Sequence, residues 1–219
     1  MNSTPLIISL QVSSCASGIA LLIGIAIAWV LEKSKFRFKW LVEGITLLAL
    51  VFPPTVLGYY LLLFLGRQGI GMYLERIGLR FVFALPGAVL AATIAAIPMV
   101  VQLVRTSLAE VSQEIEDAGR VDGCSRYQLF WYIDLGIAWR GVVAGGMLGF
   151  LRAIGDFGTT LMVAGNIPGR TQTLSMALYD AVQTNDTTRA NELVFILSAI
   201  AFGVLFAAIA LSRSINRMR

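Results

Sequence analysis

The sequence predicts an all-α integral membrane protein with about five transmembrane helices, and three observations carry that prediction. Hydrophobic residues fill 57% of 219 positions and charged residues only 14%, where a soluble domain carries about 25% charged. Mean hydropathy is +0.78. Uncharged runs cover 4–31, 44–66, 81–104 and 193–212, each matching the ~20 apolar residues that a helix needs to cross a hydrocarbon core. A further apolar stretch from Ile137 to Gly165 is interrupted only by Arg140, Arg152 and Asp156. The expected spans are therefore 6–31, 41–65, 81–106, 137–164 and 193–213, in a single transmembrane domain covering 1–219, with a polar loop over 107–136.

Orientation follows from the basic residues. Lys33, Lys35, Arg37 and Lys39 crowd one short loop, and Arg213, Arg217 and Arg219 lie in the tail. The positive-inside rule assigns both groups to the cytoplasm. The N-terminus is then expected outside and the C-terminus in the cytoplasm. Arg67, Arg76 and Arg80 against Glu75 work the other way, but the reversed topology would export seven cations. The first apolar run lacks a preceding basic segment and extends past the length of a signal-peptide core, so it is read as a span. The formal charge of +4 does not imply a nucleic-acid partner, because the cations sit where a membrane protein needs them.

Missing residues close several chemistries. There is no histidine, and the lysines are Lys33, Lys35 and Lys39, none following a glycine. A Gly-Lys-Ser/Thr phosphate loop is absent, so ATP hydrolysis by that machinery is not expected of this chain. Ser-His-Asp catalysis and histidine-based zinc sites are equally closed. Neither enzymatic activity nor a bound cofactor or metal is expected, and Cys15 and Cys124 lie too differently to suggest a disulfide.

In the first span, Ser9, Ser13, Ser14, Ala16, Ser17, Gly18 and Gly24 allow close helix packing. The second contains Phe52-Pro53-Pro54-Thr55 near its middle, where two prolines remove N–H donors. Such a break needs protein or a wet cavity around it, and both a packing kink and a bend beside a transport path fit. The third carries Pro86 and Pro98 and ends at Arg105. In the fourth, Gly141, Gly145 and Gly149 recur every fourth residue, and a continuous helix would put Arg152 and Asp156 on the same face. That face is expected to look inward, because lipid exposure of a charge costs ~3 kcal/mol or more. Arg152 and Asp156 stand at i, i+4, so they form either an internal ion pair or a weak site tempering an anion's passage. The loop 165–173 reads as a polar, turn-rich outer surface before a short amphipathic stretch, Leu174–Val182, and the last span.

The polar loop holds two apparent capping boxes, Ser107-x-x-Glu110 and Ser125-x-x-Gln128, around Gly123, which predicts helix-turn-helix. Asp117-Ala118-Gly119, three residues, Gly123, nine residues, then Ile133-x-Leu135 resembles the EAA motif of ABC importer permeases, Glu-Ala-Ala-x3-Gly-x9-Ile-x-Leu-Pro. Asp117, Gly119 and Gly136 depart from it, and the two glycines would loosen the loop. Phe52–Tyr59, Arg152–Gly158 and Asn166–Thr173 are similar to segments of molybdate permeases, with sulfate and tungstate permeases as near relatives.

The resemblance implies the type I ABC importer permease fold in a multi-pass protein of the cell inner membrane. It implies a homodimer in contact with membrane lipid, paired with cytoplasmic ABC ATPase subunits that bind ATP and Mg, and fed by an extracytoplasmic oxyanion-binding protein. Asp117, Ala118, Gly119, Gly123, Ile133 and Leu135 would form the coupling element. Pro53, Pro54, the three glycines, Arg152 and Asp156 stand as transport-path or packing candidates. A secondary anion transporter is the main rival reading. An intramembrane hydrolase finds no convincing base in this sequence.

Overall fold

The computed structural model describes residues 3–34 and 36–216, and among these every regular element is helical. In chain order they are α1 (Thr4–Lys33), α2 (Lys39–Val51), α3 (Pro54–Leu65), α4 (Gly71–Arg76), α5 (Leu85–Ala109) and α6 (Gln113–Val121), followed by four more. These are α7 (Arg126–Ile154), α8 (Gly158–Ala164), α9 (Leu174–Gln183) and α10 (Thr187–Asn216). A π-helical segment, Leu129–Asp134, lies within α7. Lys35, Arg217 and Arg219, which helped to set the expected orientation, lie outside the described residues.

Among the described residues, four helices are long and apolar enough to cross a membrane, and five spans result if the bent pair α2 and α3 counts as one. The centre of the bundle is α5, with 61% of its apolar window buried, packed between α1 and α7. Small side chains make this possible. Ala16, Ala20, Gly24 and Ala28 repeat every fourth residue on the buried stripe of α1, and Ala88, Ala91, Ala92, Ala95 and Ala96 line α5. A Cβ at Gly24 would stand 2.6 Å from Val100 Cγ1, so the backbones approach as small-xxx-small packing allows. Deeper along α5, Val100, Val101, Val104 and Leu108 complete the core with Leu31 and Ala138.

Several expectations are corrected and one is sharpened. The expected break in the second span is a bend of 115° between α2 and α3 across Phe52 and Pro53. Pro54 opens α3 at its first turn, where a missing N–H costs nothing. The third helix runs past Arg105 to Ala109, because Arg105 is neutralised by Glu32 and Glu43 at 3.2 and 2.7 Å. Ser107 is therefore inside α5, and the first capping box does not form. The helix after Gly123 starts at Arg126, well before 137, and stops at Ile154, well before 164. Finally, the loop 165–173 is not a solvated surface, since Thr171, Gln172 and Thr173 are buried and only 168–170 are exposed.

Candidate functional site

Two groups of residues stand out, one on the arm between α5 and α7 and one where helices break inside the bundle. On the arm, Ser112 is extended and α6 begins at Gln113. One face of α6 turns inward and buries Glu116 and Gly119. Glu116 accepts from Lys33 Nζ at 2.5 Å and from Arg120 at 3.1 Å, while Lys33 also donates to the Val111 carbonyl at 3.1 Å. The end of α1 thereby holds the arm. Asp117 is exposed and pairs with Arg120 on its own helix.

Gly119 is closely packed: a Cβ would stand 2.7 Å from Ile133 Cδ1 and 2.8 Å from Leu129 Cδ2, the far ends of side chains that would have to give way. It is a packing contact against α7 and does not loosen the arm. Ala118 is exposed, and with Ile115 and Val121 it gives α6 an uncovered apolar stripe; Val121 is 87% exposed. The turn after α6 closes through Cys124 N–H donating to the Gly119 carbonyl at 2.9 Å, with Gly123 at φ +85°, a conformation L side chains resist. Ser125 and Gln128 form both halves of a capping box, at 3.3 and 2.8 Å. Leu135 continues α7 beside Leu22 and Ile25. Gly136 lies inside α7 with open space around it, so the helix runs on where the motif would have proline.

The second group centres on Asp156. It lies in the break between α7 and α8, not on the helical face of the glycines, and is 2% exposed. Its carboxylate accepts from the Thr160 N–H at 3.0 Å, the Thr160 hydroxyl at 2.7 Å, the Thr159 hydroxyl at 3.2 Å and Arg152 at 3.1 Å. Phe157 is the N-cap residue of α8, and Asp156 just before it satisfies the first-turn N–H of Thr160, at a helix end that favours an anion. The i, i+4 pair forms across the helix end, with Arg152 at 22% side-chain exposure. Gly141, Gly145 and Gly149 face α5: a Cβ at Gly141 would overlap Ser107 Oγ, and one at Gly149 would stand 2.8 Å from Val100 Cγ2.

The structure brings the two breaks together. A Cβ at Gly158 would be 3.0 Å from Pro54 Cβ, and one at Gly58 would be 2.9 Å from the Thr159 carbonyl and 2.7 Å from Met162 Cβ. The Pro53-Pro54 break and the Asp156 break therefore form a single crossing of short helices. Behind it, Ser175 donates to the Ile154 carbonyl at 3.1 Å, and Asn166 and Gln172 both donate to Asp180 at 2.7 Å. Sequence reasoning missed Lys33, Glu116 and Arg105 as organising residues. Glu116 was findable once 113–121 is taken as helix, since it stands one turn before Arg120 and three residues before Gly119, on one face.

Known proteins share this architecture and sequence. Residues 20–218 match the model of a family described as binding-protein-dependent transport system inner membrane component. The molybdenum transport system permease protein ModB of Haemophilus influenzae is 39% identical over 207 residues, covering 92% of this chain and 90% of that one. The putative molybdenum transport system permease protein YvgM of Bacillus subtilis is 37% identical over 206 residues, covering 93% and 90%. Among solved structures, an inward-facing conformation of the MetNI methionine ABC transporter superposes with a TM-score of 0.75 at 16% identity, covering 96% and 94%.

Proposed function

The chain belongs to the family of binding-protein-dependent transport system inner membrane components, and from that premise we propose that it is the permease subunit of an ATP-driven molybdate importer. It is an inner-membrane protein with the type I ABC importer permease fold, and the relatives it resembles are transport permeases rather than enzymes. The observation that carries the proposal is the arm. α6 is held from behind by the Lys33–Glu116 pair and offers an exposed stripe of Ile115, Ala118 and Val121 with acidic Asp117 beside it. A cytoplasmic ATPase subunit, which would bind ATP and Mg, seats on that stripe. Two copies of the chain form the path, the N-terminus lies outside, and an extracytoplasmic oxyanion-binding protein delivers the substrate.

The geometry supplies a mechanical route for such coupling. α6 turns at Gly123 directly into α7, a helix of 29 residues, or about 44 Å at 1.5 Å per residue. The far end of that rod is Arg152 and the break at Asp156, where α8 crosses α3. ATPase closure pulls on α6, and α7 carries the displacement to the crossing of broken helices. Asp134 through Leu129 make a π turn on the way, a feature frequent at functional sites.

Reconstitution with the ATPase and binding protein tests this. The expected result is molybdate uptake that needs both partners and ATP, with sulfate and tungstate transported less well. Uptake driven by an ion gradient without ATP would show a secondary transporter instead, and sulfate preference would move the assignment to that oxyanion.

A further inference from the structure

Beside the arm, α1 and α7 leave an apolar trough that ends in a cationic cleft. Leu22 and Leu135 line the part farther from α6, Trp29 and Tyr127 the part nearer it, and Ala26 and Phe130 are common to both. The two depressions measure ≈ 560 and ≈ 580 Å³. From Leu22 to Trp29 the trough follows α1 for about 10 Å. At the end nearer α6, Arg126 lies over Trp29, its guanidinium carbon 5.0 Å from the ring centroid. Arg126 also lines the neighbouring cleft of ≈ 500 Å³, together with Lys33 and Arg120 and no acidic side chain. Lys33 and Arg120 turn toward Glu116 and Asp117 on their other sides, whereas no salt bridge holds Arg126 among the described residues.

A tryptophan and tyrosine rim marks the level where hydrocarbon gives way to headgroups, and basic pockets beside membrane helices at that level suit anionic headgroups. A free anion would fill the cleft and leave the trough bare. An apolar side chain from another protein would fill the trough and leave Arg126 without an anion. One molecule with a hydrocarbon chain and a phosphate satisfies both halves.

We propose that the trough and cleft bind an anionic phospholipid from the leaflet on the α6 side, with an acyl chain along Ala26 and Phe130 and its phosphate on Arg126, Arg120 and Lys33. The site stands on the trough and cleft alone. Its consequence, a headgroup that braces α6 through the residues gripping Glu116, rests on reading α6 as the ATPase-coupling helix.

Native mass spectrometry of the permease–ATPase complex, released from nanodiscs of phosphatidylglycerol and phosphatidylcholine with matched chains, tests the proposal. The wild type is expected to retain phosphatidylglycerol over phosphatidylcholine by about fivefold or more. Arg126→Gln should bring the ratio near one, Arg126→Lys should keep most of it, and Ala26→Trp should abolish retention by filling the trough without altering charge. Arg67→Gln, at an exposed turn after α3, should leave it at the wild-type level. No preference in the wild type, or a preference surviving both Arg126→Gln and Ala26→Trp, would overturn the site. Displacement of the lipid by excess inorganic phosphate would identify a plain anion cleft. Retention by the permease alone that disappears when the ATPase is added would give the cleft to the ATPase and refute the lipid.

Discussion

Gly119 and Gly123 stand one helical turn apart and answer opposite constraints. At Gly119 the backbone is ordinary helix and the space is taken; at Gly123 the space is open and the backbone is left-handed. The atoms crowding Gly119 are the far ends of Ile133 and Leu129, which can shift. Gly119→Ala is therefore expected to retain ATPase coupling, whereas Gly119→Leu should lift α6 from α7 and leave ATP hydrolysis insensitive to the loaded binding protein. Gly123→Val should lower thermal stability by about 1–2 kcal/mol from backbone strain, read as a shift in the melt of the purified complex. At the other end of α7, the carboxylate of Asp156 is already occupied by two threonines and Arg152. Asp156→Ala strands Arg152 and is expected to cost about 3 kcal/mol in the same melt. If Arg152 served substrate alone, Arg152→Ala would abolish uptake with an unchanged melt; the ion pair predicts that both fall.

At the level of elements, the molecule depends on two close contacts between helices. The first is the grip of α1 on α6. A double-mutant cycle of Lys33→Met and Glu116→Gln, read in binding-protein-stimulated ATP hydrolysis, should show coupling of about 0.5–3 kcal/mol, as contacting residues do. Additive effects would separate α6 from α1. The second is the crossing of α3 with α8, which Gly58 and Gly158 permit. Gly158→Leu should leave the protein inserted but unable to transport, because the added side chain meets Pro54 and the Thr55 backbone. Apolar runs make the spans legible in the sequence. The break at Pro53-Pro54 is announced by its prolines, but the one at Asp156 is not, since helical periodicity continues in the letters past Gly155. At the break a carboxylate serves the first turn of the next helix, a local exchange among Asp156, Thr159 and Thr160 that the period of apolar residues does not register. The same limit applies to 165–173, where a polar composition suggests solvent. Its hydroxyl and amide groups instead find partners inside, Thr171 on the Gly165 carbonyl at 2.9 Å and Gln172 on Asp180.

Across the whole molecule, the bundle divides into a buried centre and an open rim. The centre was partly readable, because small residues every fourth position on α1 and α7 announce close packing. Its partner surface on α5 was not, because alanine is equally at home in any helix. The turn of the arm was readable from Gly123 and the capping box at Ser125; the Lys33–Glu116 pair that steadies the arm joins residues 83 apart, a distance no local pattern spans. The proposed orientation, N-terminus outside, has a direct check. Single cysteines at Phe36 and Pro168, in a background lacking Cys15 and Cys124, should react with an impermeant thiol reagent only from opposite sides. Labelling of both from one side would break the proposed topology.

α10 belongs to the rim, and none of its 18-residue apolar window is buried within the chain. Its first turns pack on α9 through Leu193, Ile196, Leu197 and Ile200, and the remaining hydrophobic surface answers to neighbours outside the polypeptide. Among descendants of this protein, positions on α10 that meet only lipid should drift freely among leucine, isoleucine, valine and phenylalanine. Positions that meet a second subunit should hold to one size and shape. A set of variants scored for uptake would then read like a plaster cast: the tolerant stripe would mark the bilayer, and the intolerant one would record the outline of whatever protein stands against α10 in the working assembly.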